Sequence, residues 1–130
     1  MTDETPKRVL VVDDASLVRR YYRAALEGAG FQVAEALNGI EALEQVLTAH
    51  FDLLIVDVNM PQMDGLSFLK TVRGKSLPLS STPALITSSE ADPARIAAAR
   101  AMGANFYVVK PLSQEALVQY SLLLCGVRHE

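Results

Sequence analysis

A carboxylate stands at the end of an apolar run in the stretch DLLIVDVNMPQMDG, residues 52–65. The run before Asp57 is typical of a strand buried on both faces, and Pro61, Asp64 and Gly65 follow it as turn residues. Burying a charged carboxylate at the tip of such a strand costs free energy unless a nearby group needs its charge. The stretch therefore indicates a site that uses the charge of Asp57.

Polar residues also follow other apolar runs. Asp13 and Asp14 follow RVLVV, Thr87 ends PALIT, and Lys110 follows NFYVV, whereas the run FQVAEA contributes no such residue. The carboxyl ends of parallel strands meet at one edge of a sheet, and ligands bind outside that edge. We therefore expect these side chains to lie close to Asp57.

These residue types suit one kind of chemistry. Three neighbouring carboxylates repel one another, and an all-oxygen site with few protein ligands suits Mg²⁺. Lys110 offers a point charge for a phosphoryl oxygen, and the Thr87 hydroxyl can donate a hydrogen bond to another. With an aspartate nucleophile, these are the parts needed to accept a phosphoryl group.

Each residue also has a simpler interpretation. Asp13 and Asp14 fit a cap of the first helix, and Asp57 fits a turn residue. Thr87 fits a loop hydroxyl bonded to the backbone, and Lys110 fits a surface lysine. Separate accidents would not place all of them at the same end of one sheet, and this favours the site.

The elements that position these residues alternate along the chain. Short apolar runs predict strands near 8–12, 31–36, 52–56, 83–87 and 105–109, and helical patterns follow each of them. Asn38, Asp92 and Ser113 precede three of these patterns as N-cap residues. Five strand–helix units in a row predict an α/β fold, a doubly wound parallel sheet with helices on both faces.

The bulk composition narrows the function classes. The chain has 130 residues, is 50% hydrophobic and carries a net charge of −3, which argues against nucleic-acid binding. Its single cysteine excludes an internal disulfide, and His50 and His129 are too few for a zinc cluster. No apolar stretch approaches the roughly 20 residues of a membrane span, and MTDETPKR does not look like a signal peptide. We expect a cytoplasmic protein with a polar tail (1–7), one domain (8–127) and no output domain.

The motifs VLVVDDASLVRR, IVDVNMPQMDGLSFLKTVR, ALITSSEA and GANFYVVKPL occur in this order. Together they resemble the receiver domain of two-component response regulators, in particular the single-domain, chemotaxis-type regulators of the CheY kind. The resemblance spans essentially the whole chain. It implies a flavodoxin-like (βα)5 receiver fold with five helices and strand order 2-1-3-4-5, which makes the first and third strands neighbours.

The resemblance also implies a role for each site residue. Asp57 matches the aspartate that receives a phosphoryl group from a histidine kinase or phosphotransfer protein in a phosphorelay. Asp14 matches the carboxylate that binds Mg²⁺ directly, Asp13 a neighbour that acts mainly through water, and Asn59 a residue whose backbone carbonyl joins Asp57 in the metal site. Lys110 matches the lysine that contacts the phosphoryl group. Such a protein is not an enzyme, because it catalyses only its own phosphorylation and dephosphorylation.

Thr87 and Tyr107 match the switch pair of the family. Phosphorylation adds about two negative charges and three acceptor oxygens, so the Thr87 hydroxyl is expected to move toward them and Tyr107 to turn inward. That change would remodel the face formed by the fourth helix, fifth strand and fifth helix, where a downstream target protein binds. A half-buried strand aromatic is the simpler interpretation of Tyr107.

Some positions depart from the chemotaxis pattern. Val58 stands where the chemotaxis regulator of the family has a large aromatic residue. Ser88 and Ser89 stand where that regulator has alanine and glutamate. Asn59 and Ser89 occupy positions that tune acyl-phosphate hydrolysis in the family. The lifetime of the phosphoryl group is therefore left open, as is a role in chemotaxis.

The final helical pattern, SQEALVQYSLLLCG, is more apolar than one buried face requires. A helical wheel places three residues on the core side: Leu117, Tyr120 and Leu124. Three others form a second stripe, flanked by polar residues that include Ser121: Val118, Leu122 and Cys125. This stripe is either a surface for a partner or a weak homodimer, or ordinary scattered apolarity.

Two other functions compete with a phosphoacceptor. A phosphohydrolase of the haloacid dehalogenase type also uses a strand-end aspartate, but it needs a second aspartate where this chain has Asn59. A scaffold that works without phosphorylation is disfavoured because every chemical position is filled.

Overall fold

The computed structural model describes residues 5–126. The first four residues of the predicted tail, the last residue of the predicted domain, Val127, and His129 lie outside this range. The division into a tail and one domain stays a prediction.

Five short strands alternate with five helices, as the sequence predicts. The strands are β1 (Arg8–Val12), β2 (Gln32–Ala36), β3 (Leu53–Asp57), β4 (Ala84–Ser88) and β5 (Phe106–Val109). They form one sheet in the order β2-β1-β3-β4-β5, and all four pairs of neighbouring strands are parallel. The doubly wound α/β fold and its strand order are therefore confirmed. All five residues of β3 and of β4 are buried, as expected for apolar runs at the centre of a parallel sheet.

The five helices are α1 (Ser16–Gly28), α2 (Gly39–Thr48), α3 (Gly65–Arg73), α4 (Pro93–Ala101) and α5 (Gln114–Leu124). Four of the five helices begin after a residue whose side chain caps the first turn, whereas α1 follows Ala15, which makes no side-chain cap bond. Asn38, Asp92 and Ser113 are N-caps whose side chains accept a backbone N–H from the first turn, as predicted. Asp64 caps α3 in the same way. None of the helices in residues 5–126 is long and apolar enough to span a membrane.

Each face of the sheet has its own core. On one face, Tyr22 and Leu26 of α1 and Leu117 of α5 pack on β1, β3 and β4. On the other face, Val46 of α2 and Phe68 of α3 pack on the alternate residues of the same strands. Both faces of the central strands are thereby removed from water. Polar side chains of these strands can therefore reach solvent only at the strand ends.

Gly65, the first residue of α3, is required by a close backbone approach. A Cβ atom there would lie 2.9 Å from the carbonyl carbon of Asp57 and closer still to its carbonyl oxygen. The Gly65 amide also donates to the carbonyl of Val58 at 3.0 Å. The first residue of α3 therefore packs directly against the backbone at the end of β3. Only glycine permits this short distance, because any Cβ atom would overlap the Asp57 carbonyl.

The prediction of a separate outer stripe on α5 is wrong in part. Leu122 and Cys125 pack against the core cluster of α1 and α5, and the flanking Ser121 is fully buried, its hydroxyl donating to the carbonyl of Leu117 at 2.7 Å. Leu123, which neither stripe included, is 66% exposed. The helical wheel gives the angles between residues correctly, but α1 and α5 share a broad contact that covers more of α5 than one face.

Candidate functional site

The register of the sheet brings the predicted residues together. Val12 of β1 is paired with Val56 of β3, so Asp13 and Asp57, each the next residue, stand level on neighbouring strands. Asp57 is in turn paired with Thr87 of β4. Residues far apart in the chain therefore meet because their strands are adjacent and in register.

Asp13, Asp14 and Asp57 form an acidic cluster. One carboxylate oxygen from each lies within 4.8 Å of the others. Asp13 is 1% exposed and Asp57 is 6% exposed, whereas Asp14 is open to solvent. Two of the three carboxylates are buried and one is exposed, and the simpler interpretation of Asp57 as a turn residue does not fit this burial.

Lys110 is the cation of the site. Its Nζ donates to Asp13 Oδ2 at 2.9 Å and lies 3.4 Å from Asp57 Oδ1. Burial alone would lower the pKa of Lys110, but the hydrogen bond to Asp13 and the charges of both aspartates raise it above its ordinary value. Lys110 therefore stays charged between the two buried carboxylates, and the interpretation as a free surface lysine is wrong.

Asp57 is an unfavourably placed charge. Desolvation by burial raises the pKa of Asp57 from an ordinary 3.8 to about 6, because the opposing effect of Lys110 is smaller and the charge of Asp13 adds to the rise. The backbone of Asn59 lowers this pKa slightly through a hydrogen bond. A carboxylate that lacks solvation gains most when a cation or an electrophilic group arrives.

Thr87 faces the site with an unused hydroxyl. Its side chain is 1% exposed. Among residues 5–126, its Oγ1 is the one fully buried side-chain oxygen or nitrogen without a hydrogen-bond partner. Leaving a buried hydroxyl unpaired costs about 1–3 kcal/mol, so this atom is poised to bond a ligand at Asp57. The interpretation of Thr87 as a hydroxyl bonded to the backbone does not fit.

Tyr107 and Asn59 lie beside the cluster. Tyr107 is half-buried against the α2–α3 side of the core, and its hydroxyl donates to the backbone carbonyl of Glu90 at 2.8 Å. It is paired with Ile86, the residue before Thr87. Asn59 is exposed just after β3. The switch role of Tyr107 and the metal-ligand role of the Asn59 carbonyl stay predictions.

Two residues near the site were missed from the sequence. Arg19 of α1 donates from Nη1 to the backbone carbonyl of Asp13 at 2.6 Å, and its Nε donates to Glu35 of β2 at 2.9 Å. The second strand therefore supplies a side chain after all, although it reaches the cluster only through Arg19. The available signal was Glu35 itself, a charged residue in an otherwise largely apolar strand.

The donor set fits a divalent cation. The cluster offers only oxygen ligands, few in number and open to solvent on the Asp14 side, which is the kind of site that Mg²⁺ occupies while keeping several waters. A single lysine cannot neutralise three carboxylates, so the local charge remains negative. A cation fits both the chemistry and the charge of this cluster.

Comparison with known proteins agrees with this geometry. The profile of the response regulator receiver domain matches residues 9–121. The chain is 39% identical over 111 residues to the chemotaxis protein CheY of Pseudomonas aeruginosa, covering 85% of this chain and 89% of that protein. It is 38% identical over 121 residues to the chemotaxis protein CheY1 of Helicobacter pylori, covering 92% and 97%.

A solved structure of the Vibrio cholerae chemotaxis protein CheY4 has a TM-score of 0.86 to this chain at 36% identity. It covers 92% of this chain and 99% of that one. The chain therefore belongs to the response regulator receiver domain family and is a CheY-like receiver.

Proposed function

We propose that this receiver accepts a phosphoryl group on Asp57 from the phosphohistidine of a histidine kinase or phosphotransfer protein, with Mg²⁺ in the acidic cluster. We further infer that Thr87 and Tyr107 pass the change to the face formed by α4, β5 and α5, where a downstream protein binds. The observation that carries this proposal is the desolvated Asp57 carboxylate between a charged lysine and an unpaired buried hydroxyl.

The transfer balances on these residues. A bond forms between an Asp57 carboxylate oxygen and phosphorus while the phosphorus–nitrogen bond of the donor breaks. The electron pair of that bond returns to the imidazole nitrogen, which takes up a proton from solvent. Lys110 Nζ, 3.4 Å from Asp57 Oδ1, is close enough to neutralise a phosphoryl oxygen, and the Thr87 hydroxyl is free to donate to another.

The metal has a defined place in this proposal. Asp13, Asp14, Asp57 and the backbone carbonyl of Asn59 would hold Mg²⁺, and the bound ion would neutralise the charge that gathers around phosphorus. The raised pKa of Asp57 supports a cation here, because the carboxylate is short of compensating charge. Lys110 meanwhile keeps Asp13 in place through its 2.9 Å contact.

An apolar groove beside the site supports a protein donor. The groove has a volume of about 490 Å³ and is lined by Leu17, Val18, Tyr21, Tyr22, Lys110, Pro111 and Leu112. Leu17 is 75% exposed and Tyr21 is 45% exposed, so neighbouring apolar side chains of α1 line this groove together. Because Lys110 lines both the groove and the site, a donor seated in the groove would hold its phosphohistidine beside Asp57.

Within the face formed by α4, β5 and α5, helix α4 is only loosely packed on the core, which favours a switch. Ala99 is the only buried residue of α4, and the Tyr107 hydroxyl rests on the backbone of Glu90 in the loop before that helix. A helix with so little buried surface shifts at low cost in free energy. Movement of the Thr87 hydroxyl toward a phosphoryl group would bias this loop and helix, as any ligand biases an existing equilibrium.

The test is phosphorylation by a small donor. Incubation with Mg²⁺ and acetyl phosphate is expected to give one phosphoryl adduct per chain, stable in acid and labile in base, seen by mass spectrometry. Asp57→Asn should abolish the adduct. Asp64→Asn is the matched control, because asparagine caps a helix as well as aspartate does, and its adduct should match the wild type.

The same assay separates the competing functions. Stoichiometric labelling supports a protein that catalyses only its own phosphorylation and dephosphorylation. Repeated turnover on an unrelated phosphomonoester would instead indicate a phosphohydrolase. No adduct under any condition would refute the phosphoacceptor and favour a scaffold.

A further inference from the structure

Two ion pairs link α1 to β2 beside the acidic cluster, from Arg19 and Arg23 of α1 to Glu35 of β2. Both carboxylate oxygens of Glu35 are used: Oε1 accepts from Arg19 Nε at 2.9 Å and Oε2 accepts from Arg23 Nη1 at 2.6 Å. The Arg19 side chain is only 16% exposed. Burial acts to raise the pKa of Glu35, but the hydrogen bonds from Arg23 and Arg19 outweigh it and lower this pKa. Glu35 is thus a charged, fixed anchor for Arg19.

The free end of Arg19 reaches the site. Its Nη1 donates to the backbone carbonyl of Asp13 at 2.6 Å, while the amide of Asp13 donates to the carbonyl of Ala36 at 3.1 Å. Both backbone polar groups of Asp13 therefore have partners, the amide in Ala36 of β2 and the carbonyl in an α1 side chain that β2 anchors. The Asp13 carbonyl belongs to the peptide group that joins it to Asp14, so the bond from Arg19 sets how that peptide group is turned.

Asp14 depends on that peptide group. The Asp13 side chain has its own supports, since Oδ1 accepts from the amide of Ala15 at 2.9 Å and Oδ2 accepts from Lys110. The Asp14 side chain is exposed, so its place within 4.8 Å of the other two carboxylates is set mainly by the backbone on which it stands. Rotation of the peptide group would swing Asp14 away from the cluster.

We propose that Arg19, anchored by Glu35, is a positioning residue for the acidic cluster: it orients the Asp13–Asp14 peptide group and thereby sets the affinity for a divalent cation. This inference rests on the proposed function, in which the cluster holds Mg²⁺. It adds a requirement on α1 and β2 that lies outside the cluster itself.

The charge of Arg19 and its positioning role have opposite effects on the affinity of the cluster for a cation. Arg19 carries a positive charge near the cluster, so its removal by charge alone would tighten cation binding. Loss of positioning would weaken binding, because partners behind metal ligands typically contribute about 10–100-fold in affinity. Arg20, the exposed neighbour on α1, provides a matched control that removes the same charge without touching Asp13.

The experiment measures Mg²⁺ binding to the full chain by isothermal titration calorimetry. Arg19→Ala should raise the Kd about tenfold or more, whereas Arg20→Ala should leave it unchanged or slightly lower. Thermal unfolding in a chelator separates a loss of stability from a loss of affinity. Phosphorylation by acetyl phosphate should need more Mg²⁺ in Arg19→Ala but reach the wild-type rate at saturating Mg²⁺.

Two outcomes overturn the inference. One is a Kd for Arg19→Ala equal to or lower than that of Arg20→Ala. The other uses Arg19→Lys, which replaces Arg19→Ala if that variant does not fold. Lysine keeps the charge, but its single nitrogen cannot bond Glu35 and the Asp13 carbonyl as the planar guanidinium does. A wild-type Kd in Arg19→Lys would exclude positioning. A wild-type chain that does not bind Mg²⁺ would instead remove the proposed metal site itself.

Discussion

Replacing Asp57 by asparagine should make the protein more stable at neutral pH in the absence of divalent cations. The carboxylate is 6% exposed, and desolvation outweighs the help of Lys110, so that its pKa is raised to about 6. Asparagine keeps the shape of the side chain and removes the charge that the fold must desolvate. Lys110, which lies 2.9 Å from Asp13 in the wild type, would still have Asp13 as its partner in this variant.

The magnitude follows from the pKa shift. A rise from 3.8 to about 6 corresponds to about 3 kcal/mol at about 1.4 kcal/mol per unit. The buried amide of asparagine must also find partners, so we expect a net gain of about 1–3 kcal/mol. The folded pKa lies above the unfolded one, so the ionised carboxylate costs no stability below pH 3.8; the cost grows as pH rises and is complete above about pH 6.

The assay is urea unfolding of the wild type and Asp57→Asn in a chelator between pH 4 and pH 8, a range that brackets the raised pKa of about 6. The difference in unfolding free energy should be small at the acid end and reach its full value at the neutral end. Glu44→Gln, the same chemical change on an exposed residue of α2, should show no such rise. Excess Mg²⁺ should narrow the difference by stabilising the wild type.

A difference that does not change with pH would refute this reasoning. So would an Asp57→Asn variant that is less stable than the wild type at neutral pH. Either result would mean that Lys110 and the backbone already compensate the Asp57 charge, and that the site has no shortage of positive charge for a cation to relieve.

Three further changes test the backbone contact behind Asp57, the charge of Lys110 and the packing of α5. Gly65→Ala should destabilise the fold by about 1–3 kcal/mol or more in urea unfolding, because the new methyl group overlaps the carbonyl of Asp57. Lys110→Gln should raise the pKa of Asp57 further in a carboxyl-carbon NMR titration, because Lys110 lowers that pKa. Leu122→Glu should destabilise the fold by about 2 kcal/mol or more in thermal unfolding, because Leu122 packs on the core.

Each of these changes has a comparison within the chain. Gly74→Ala should be nearly neutral, because the new Cβ would lie 3.5 Å from the carbonyl oxygen of Thr71, an ordinary contact distance. Equal losses of unfolding free energy at both glycines would contradict the proposed overlap. An unchanged pKa of Asp57 in Lys110→Gln would show that the lysine charge does not act on it. Leu123→Glu should be tolerated because Leu123 is 66% exposed, and a tolerated Leu122→Glu would restore the outer stripe predicted from the sequence.

Much of the local structure was predictable because its causes are local. Asn38, Asp92 and Ser113 cap helices through bonds to the first turn of the same helix, so their types and positions were sufficient evidence. The apolar run of β3 likewise predicted a central strand. The strand order was available only through the family resemblance, because alternation of strands and helices does not determine which strands are neighbours.

The covering of α5 was not predictable in the same way. A helical wheel fixes the angle between Leu122 and Leu117 but not the direction from which α1 approaches. The sequence pattern places Ser121 among the polar residues that flank the outer stripe, yet Ser121 is fully buried, and its hydroxyl is satisfied by the carbonyl of Leu117 within the helix. The link from Glu35 through Arg19 to Asp13 joins a strand, a helix and a loop, and no local pattern marks it.

The types of the strand-end residues follow from the amino-acid sequence alone: the carboxylates of Asp13, Asp14 and Asp57, the lysine and the threonine. Their chemistry is a property of the side chains and can be read at once. Three properties of the site require the folded sheet: Asp13 and Asp57 stand level, Lys110 contacts both of them, and burial raises the pKa of Asp57. Distance and solvation depend on strand register and packing, and these arise only when the whole sheet is assembled.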